Sequence, residues 1–412
     1  MRNPLSLLFI VILSYNISAQ TIVNDSASIG ANYANQTFYS LANSTISSID
    51  NSNWELAFHA DNREASIFVN SKRDVKLYLA SNDTSKWNSL DTTNKTAKQF
   101  HNSDSSWLFG AFNREVLPGG FEYGWGTYNS TTHEIDGNKI YFINYGLNLW
   151  KKIMITSHDV NYRYHFRYAN LDGSNETSVI ITKANYTKRN FIYYSIANNA
   201  ILDREPDYNT YDLIFHQYEE EIPSYYKVTG VQLNRNVKAK KVYPVNNVTT
   251  ATPTGLTLSK NISAIGRDWK AYDVNLGQWT IEDSTVYFVQ DLSGSKIWRL
   301  VFTGFAGGST GRMYFTKTAF ASGINEKAIT SLGLYPNPSN TSSTLNFYAN
   351  QSQPMAITVK DFTGRQILSE QISTYEGFNE YTINTSILNN GTYLVQVQSN
   401  EGITTQKLMV NR

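Results

Sequence analysis

The sequence predicts an all-β protein: two tandem, related antiparallel β-domains followed by a small C-terminal Greek-key β-sandwich. Three observations carry this. Tyr (28), Phe (20) and Trp (8) together make 14% of the 412 residues, and Asn, Ser and Thr fill much of the rest. That mixture favours strands and turns, because strong helix formers do not dominate. Short aromatic and β-branched runs recur between polar and glycine clusters, as at Tyr141-Phe142-Ile143, Ser178 to Thr182, Val286 to Val289 and Thr392 to Gln398. Finally, four motifs appear twice, in the same order and at nearly constant spacing.

At the N-terminus, Met1-Arg2-Asn3 is positively charged and Leu5 to Leu13 is apolar apart from Ser6. Polar residues then end the segment at Ser18-Ala19-Gln20. This is the pattern of a secretory signal peptide over residues 1–20. Its apolar run is too short to span a bilayer, which takes roughly 20 residues. The mature chain is expected to start near Ala19–Thr21 and to be soluble once exported.

The first β-domain is assigned to residues 30–180 and the second to 185–320. Phe38-Tyr39-Ser40-Leu41-Ala42-Asn43 returns as Tyr193-Tyr194-Ser195-Ile196-Ala197-Asn198. Trp54-Glu55-Leu56-Ala57-Phe58-His59 returns as Tyr211-Asp212-Leu213-Ile214-Phe215-His216. Ile140 to Ile143 returns as Val286 to Val289, and Trp150 to Ile153 as Trp298 to Val301. The offsets of 155, 157, 146 and 148 residues are far too long for a solenoid and read as a tandem duplication. Alternation puts Trp54, Leu56 and Phe58 on one strand face and Glu55, Ala57 and His59 on the other. The second copy repeats this with Tyr211, Leu213 and Phe215 inside, and Asp212 and His216 opposite.

A small, polar linker over 321–330 leads to a third unit, 331–412. It opens with Tyr335-Pro336-Asn337-Pro338, whose prolines cannot sit in a central strand. Asp361-Phe362-Thr363-Gly364-Arg365 reads as a turn with glycine at positive φ. Gly391, Tyr393 to Val397 and Lys407 to Val410 complete a sandwich of about seven strands.

Composition excludes several functions. With 35 Lys+Arg against 34 Asp+Glu, no bulk field recruits nucleic acid or an anionic membrane. Cysteine is absent, which removes disulfides, thiolate metal sites, cysteine nucleophiles and a lipid-bearing cysteine. No serine-hydrolase elbow, zinc-protease helix motif, P-loop or dinucleotide fingerprint occurs, so a non-enzymatic protein is expected. Gly304 to Gly311 lies between strands and reads as a hairpin loop.

The third unit resembles the type A C-terminal sorting domain of the type IX secretion system of Bacteroidetes. The resemblance rests on Tyr335, Pro336, Asn337 and Pro338, on Gly364 and Arg365 in the Asp361 turn, on Gly391 to Val395, and on the basic-apolar end from Lys407. It implies Sec export, then outer-membrane passage by the type IX machinery, and a product released or attached to the cell surface.

The duplicated region resembles the HmuY family of haem-binding proteins. In the first copy the resemblance rests on Phe38 to Leu41, Asn53 to His59, Gly124-Trp125-Gly126-Thr127-Tyr128 and Lys139 to Phe142. In the second it rests on Tyr193 to Ser195, Tyr211 to His216, Tyr226 to Val231, Ile265 to Lys270 and Phe302 to Phe305. The best-known members are single-domain lipoproteins, whereas this chain is duplicated and lacks the lipid cysteine. The resemblance implies haem as ligand, clamped through its iron by two histidines, and delivery to an outer-membrane haem receptor. The second ligand of the relatives follows the Gly-Trp strand. Direct register falls here on Ser130, and the nearest histidine is His133, with His101 as the upstream partner.

The other candidate residues have structural readings. His59 and His216 occupy matched strand positions and read as hydrogen-bonded structural groups. His158 and His165 read as strand residues with solvent-facing rings, and Met154 and Met313 as core. Glu219-Glu220-Glu221 reads as a solvated loop. Trp107, Trp125, Trp269, Tyr123 and Tyr128 either fill β cores or stack on a flat ligand. The expected function is extracellular capture of haem. The alternative is a cell-surface adhesin whose exposed Tyr and Trp bind glycan or protein without haem.

Overall fold

The computed structural model describes residues 21–114, 121–321, 329–349, 352–399 and 402–412. The expected signal peptide and most of the expected linker lie outside the described residues. The predicted all-β class is what forms: antiparallel strands throughout, with helical pieces no longer than the 3-10 turn Thr84–Asn88 among the described residues. The chain divides into two compact units, the main one ending at Phe320.

In the main unit the strands run β1 (Val23–Ser28), β2 (Asn35–Ser40), β3 (Ser44–Asp50), β4 (Leu56–His59), β5 (Ile67–Val69), β6 (Lys76–Ser81) and β7 (Gln99–Phe100). Next come β8 (Gly126–Asn129), β9 (Glu134–Gly137), β10 (Ile140–Asn144), β11 (Trp150–His158), β12 (Arg163–Ala169), β13 (Thr177–Thr182), β14 (Phe191–Ser195) and β15 (Ala200–Leu202). The second half holds β16 (Leu213–Glu221), β17 (Tyr225–Leu233), β18 (Lys238–Val242), β19 (Lys270–Asp273), β20 (Gln278–Ile281), β21 (Val286–Gln290), β22 (Lys296–Phe305) and β23 (Arg312–Ala321).

The repeated motifs form equivalent strands, but the halves do not part between residues 180 and 185. One small sheet runs β15-β14-β4-β5 and its counterpart β3-β2-β16-β17. Tyr193 lies opposite Ala57 in the first, and Phe38 opposite Ile214 in the second. The larger sheets correspond as well: β13-β12-β11-β10-β6-β7, with the β8–β9 hairpin joined to β11, against β1-β23-β22-β21-β18. The first body is therefore β4 to β15, while the second is β16 to β23 completed by β1 to β3 from the N-terminus. The cores divide in the same way. One contains Leu56, Phe58, Trp125 and Tyr141 with Ile192, Tyr194 and Ile196. The other contains Leu213, Phe215, Trp269 and Tyr287 with Ala27, Ile29, Tyr39 and Leu41. The first body is contiguous in sequence, and the second joins β1 to β3, which precede it, to β16 to β23, which follow it.

Two buried carboxylates at the matched positions fasten these closures. Glu55 Oε2 accepts from the backbone N–H of Ile196 at 2.6 Å and Ala197 at 3.3 Å, capping the turn after β14. Asp212 Oδ2 accepts from Leu41 N–H at 2.7 Å, capping the turn after β2, and Oδ1 accepts from Leu292 N–H at 2.8 Å. Burial pushes the Asp212 carboxyl up, and these donors oppose that shift. Lys317 on β23 is buried against Asp25 at 2.8 Å and the Tyr39 hydroxyl at 2.7 Å, tying β1 and β2 to the last strand of the unit.

The alternation along Trp54 to His59 needs one correction. Leu56 and Phe58 face the first core, but Trp54 joins Ala57, Phe68, Phe191 and Tyr193 in a separate cluster behind the sheet. Tyr211 likewise packs with Phe38 and Ile214, away from Leu213 and Phe215. Both faces of the strand are buried, because the small sheets have packed neighbours on each side.

The C-terminal unit forms the expected seven-stranded sandwich among the described residues. Its strands are β24 (Ile329–Tyr335), β25 (Ser342–Ala349), β26 (Pro354–Asp361), β27 (Gln366–Ser373), β28 (Gly377–Asn384), β29 (Gly391–Ser399) and β30 (Gly402–Val410). The sheets β24-β25-β28 and β27-β26-β29-β30 enclose Leu345, Phe347, Ile357, Val395 and Leu408. The motif residues set its turns. Asn337 clamps the final strand, donating to Lys407 O at 2.8 Å and accepting from Met409 N–H at 2.7 Å. Gly364 takes φ +88°, a backbone position that suits glycine, while Asp361 accepts from Thr363 N–H and Arg365 N–H.

Candidate functional site

His101 stands at the start of a strap that leaves β7 and crosses from the first body to the second. Asn102 pins the strap to β5: its Oδ1 accepts from Val69 N–H at 3.1 Å and its Nδ2 donates to Val69 O at 2.7 Å. Trp107 Nε1 then donates to Leu233 O at 2.9 Å, and Ser105 O accepts from Ile262 N–H at 3.2 Å, both on the second body. The strap returns at Gly110, where a Cβ would lie 2.0 Å from Ile67 O. Gly110→Ala must therefore push the strap off β5. We expect a loss of about 3 kcal/mol, from overpacking against backbone that cannot yield, measured by denaturant unfolding.

The second body holds the His101 ring. Nδ1 lies 2.8 Å from Glu219 Oε2. An ionised carboxylate only accepts, so Nδ1 carries the proton. The Tyr225 ring stacks on the imidazole with centroids 3.6 Å apart and planes 2° apart. Arg114 secures this stack, donating through Nε to His101 O at 2.9 Å and through Nη2 to the Tyr225 hydroxyl at 3.2 Å.

His133 lies in the turn of the β8–β9 hairpin, exposed, at φ +60°. Its Nδ1 is 2.8 Å from the Tyr128 hydroxyl, and Tyr128 stacks on Phe121 with centroids 5.9 Å apart. In the Nδ1–H tautomer the phenol oxygen accepts and the Nε2 lone pair is free. Thus both predicted histidines have Nδ1 engaged and Nε2 without a hydrogen-bond partner among the described residues. They share no direct partner. With Nδ1 protonated, each ring presents an Nε2 lone pair, the kind of donor that axial ligation of a haem iron uses.

The remaining candidates are structural. His216 Nε2 donates to Gln232 Oε1 at 2.8 Å, and His59 Nδ1 accepts from Asp61 N–H at 3.2 Å. Burial lowers His216 to about 4 and His59 to about 3. Both stay neutral in the fold but protonate near pH 6.5 once unfolded, so stability falls as pH drops below 6.5. Each contributes a loss of about 2 kcal/mol between pH 7 and pH 5. Unfolding midpoints at the two pH values should show this, with a smaller difference in His216→Gln.

His158 is buried, not solvent-facing as expected, and its Nε2 has no hydrogen-bond partner among the described residues. It lies edge-on to Tyr164, a ring packed inside the first core. His165 keeps partial exposure and pairs with Asp159 at 2.8 Å. Met154 and Met313 are core. Trp125 and Trp269 are core too, at 0% and 1% exposure, which removes them as stacking surfaces. Trp107 lies instead over the seam between the small sheets. That seam encloses about 620 Å³ of space, including open solvent, lined by Trp54, Phe68, Trp107, Phe191 and His216. Its amides are already used by the fold, as Gln232 is by His216 and Gln36 by Arg204.

Sequence reasoning missed Glu219 and Tyr225. The Glu219-Glu220-Glu221 run is not a loop but the end of β16. Glu219 meets His101, and Glu220 meets Arg267 at 3.2 Å. The only available signal was continuity of the strand past the repeated motif.

A family model described as the HmuY protein matches residues 32–318 in a single span crossing both sequence halves. One described as the secretion system C-terminal sorting domain matches residues 333–411. No curated protein matches. Among solved structures, dimeric latent PorU from Porphyromonas gingivalis aligns over 94% of this chain at 12% identity, with a TM-score of 0.18. This chain spans 34% of that chain, and at this TM-score the likeness carries no argument.

Proposed function

The chain belongs to the HmuY protein family and ends in a type IX sorting tail, and from this premise we propose that it captures haem outside the cell between His101 and His133. The tail marks it for type IX secretion to the cell surface or the extracellular space. Among the described residues no helix is long and apolar enough to cross a membrane.

One observation supports the haem reading: two histidines on separate elements, each with Nδ1 engaged and Nε2 without a hydrogen-bond partner among the described residues. Iron would supply the bond to both Nε2 atoms. The chain's part is to orient the rings and to offer flat aromatic surface beside them, as Phe121 and Tyr128 do at the hairpin. No bond in the ligand is made or broken, so the role is non-enzymatic capture, followed by transfer to an outer-membrane haem receptor.

The test is an absorption titration of the mature chain with ferric haem, beside iron-free protoporphyrin. Saturable one-to-one binding with a red-shifted Soret band, much weaker for the iron-free ring, is the expected result. A flat titration would overturn the haem reading. It would favour a surface module binding glycan or protein through exposed aromatics such as Tyr226 and Tyr272.

A further inference from the structure

We propose that Glu219 and Tyr225, both from the second body, are positioning residues that fix the ring of His101, strengthen Nε2 as an axial donor and make the site prefer ferric over ferrous haem. This rests on the haem reading above.

The two constraints are independent. The carboxylate at 2.8 Å from Nδ1 fixes rotation within the ring plane and the tautomer. The Tyr225 ring, parallel at 3.6 Å, fixes the tilt of that plane. Each positioning group is itself held. Glu219 lies opposite Lys227 across the β16–β17 ladder, and Lys227 pairs with Asp74 at 2.7 Å. Tyr225 is held by Arg114, which also grips the His101 carbonyl. The His101 and Glu219 side chains are 17% and 24% exposed, so water screens the pair only partly.

The two histidines are therefore unequal. A phenol can donate or accept, so Tyr128 leaves His133 free to take either tautomer. A carboxylate can only accept, so Glu219 holds His101 in the one tautomer whose Nε2 lone pair is available. Its negative charge stands one ring away from the position the iron would take. Ferric iron carries one more positive charge than ferrous iron and would gain more from that carboxylate. The second body has no histidine pair of its own, and on this account it supplies the control of the first body's ligand.

The variants are Glu219→Ala, Glu219→Gln and Tyr225→Ala in the mature chain. Three readings are taken: the His101 tautomer by nitrogen NMR without haem, the affinity for ferric and ferrous haem, and the midpoint potential. Glu219→Ala should let the His101 tautomers mix while His133 stays unchanged in the same spectrum. Ferric affinity should fall about 10- to 100-fold, and ferrous affinity less. A tenfold difference between the two corresponds to a midpoint rise of ~59 mV. Glu219→Gln, whose amide oxygen still accepts from Nδ1–H, should recover part of the affinity but not the potential. Tyr225→Ala should weaken both oxidation states and keep the tautomer.

Equal losses for both oxidation states in Glu219→Ala, or an unchanged His101 tautomer, would overturn the proposal. If the wild-type chain binds no haem, the haem reading and the ferric preference fall together. The tautomer shift then decides the positioning claim alone.

Discussion

A mature chain that lacks residues 21–50 is expected to keep its first body folded and to lose its second. The first body draws its strands from β4 to β15 alone. The second depends on β1 to β3, which contribute Ala27, Ile29, Tyr39 and Leu41 to its core, all at most 1% exposed. At about 1.5–3 kcal/mol per large buried side chain, their removal costs several kcal/mol before any hydrogen bond is counted. That is comparable with the whole stability of a domain, about 5–15 kcal/mol. The deletion also bares the edges of β16 and β23. Limited proteolysis should yield a resistant fragment near residues 54–202 and rapid cleavage beyond 211. Tyr39→Ala is the gentler form, with an expected cost of about 3–5 kcal/mol confined to the second body. Independent folding of a fragment starting at residue 211, which holds neither β2 nor β14, would refute the closure.

The second large effect concerns the ligand. Loss of a group that merely orients a metal ligand costs about 10–100-fold in affinity, so loss of the ligand itself should cost more. His101→Ala and His133→Ala are each expected to weaken ferric haem binding by at least about 100-fold, measured by competition with a haem-binding protein of known affinity. His133 is exposed in a turn, so His133→Ala should keep the thermal stability of the wild type, whereas His101→Ala also loses the Glu219 hydrogen bond and the Tyr225 stack and should cost about 1–2 kcal/mol. His59→Ala should lose stability through a cavity at a side chain packed on Phe191.

Much of the fold was legible because its causes are local. Alternation and turn chemistry marked the strands, and the Tyr335 to Pro338 and Asp361 to Arg365 turns marked the sorting sandwich. The structural reading of His59 and His216 came from the family resemblance, in which this strand position is apart from the iron ligands, and both rings are hydrogen-bonded in the fold. The exchange of hairpins was not legible, for a reason built into the repeat. Since β2 and β14 are alike, each fits beside either β4 or β16, and local sequence does not select between them. The same limit hid Trp54, which departs from the alternation and packs with Ala57, Phe68, Phe191 and Tyr193 behind the sheet.

The candidate pair His101 and His133 could be named only through the resemblance to the HmuY family, whose second ligand follows the Gly-Trp strand. Glu219 could not, because its partner is 118 residues away and is reached only after the two bodies pack. A run of three acids has the look of a solvated segment until a cation or a ring proton is brought beside it. Segments that cross the seam, the strap above all, make their hydrogen bonds to residues more than 100 positions away.

The most direct test of haem capture by this pair is the low-temperature electron paramagnetic resonance spectrum of the ferric haem complex of the mature chain. Two axial imidazoles predict a low-spin ferric signal in the wild type, converted to a high-spin signal in both His101→Ala and His133→Ala. A low-spin signal that survives both substitutions, or a high-spin signal in the wild-type complex, would contradict the account.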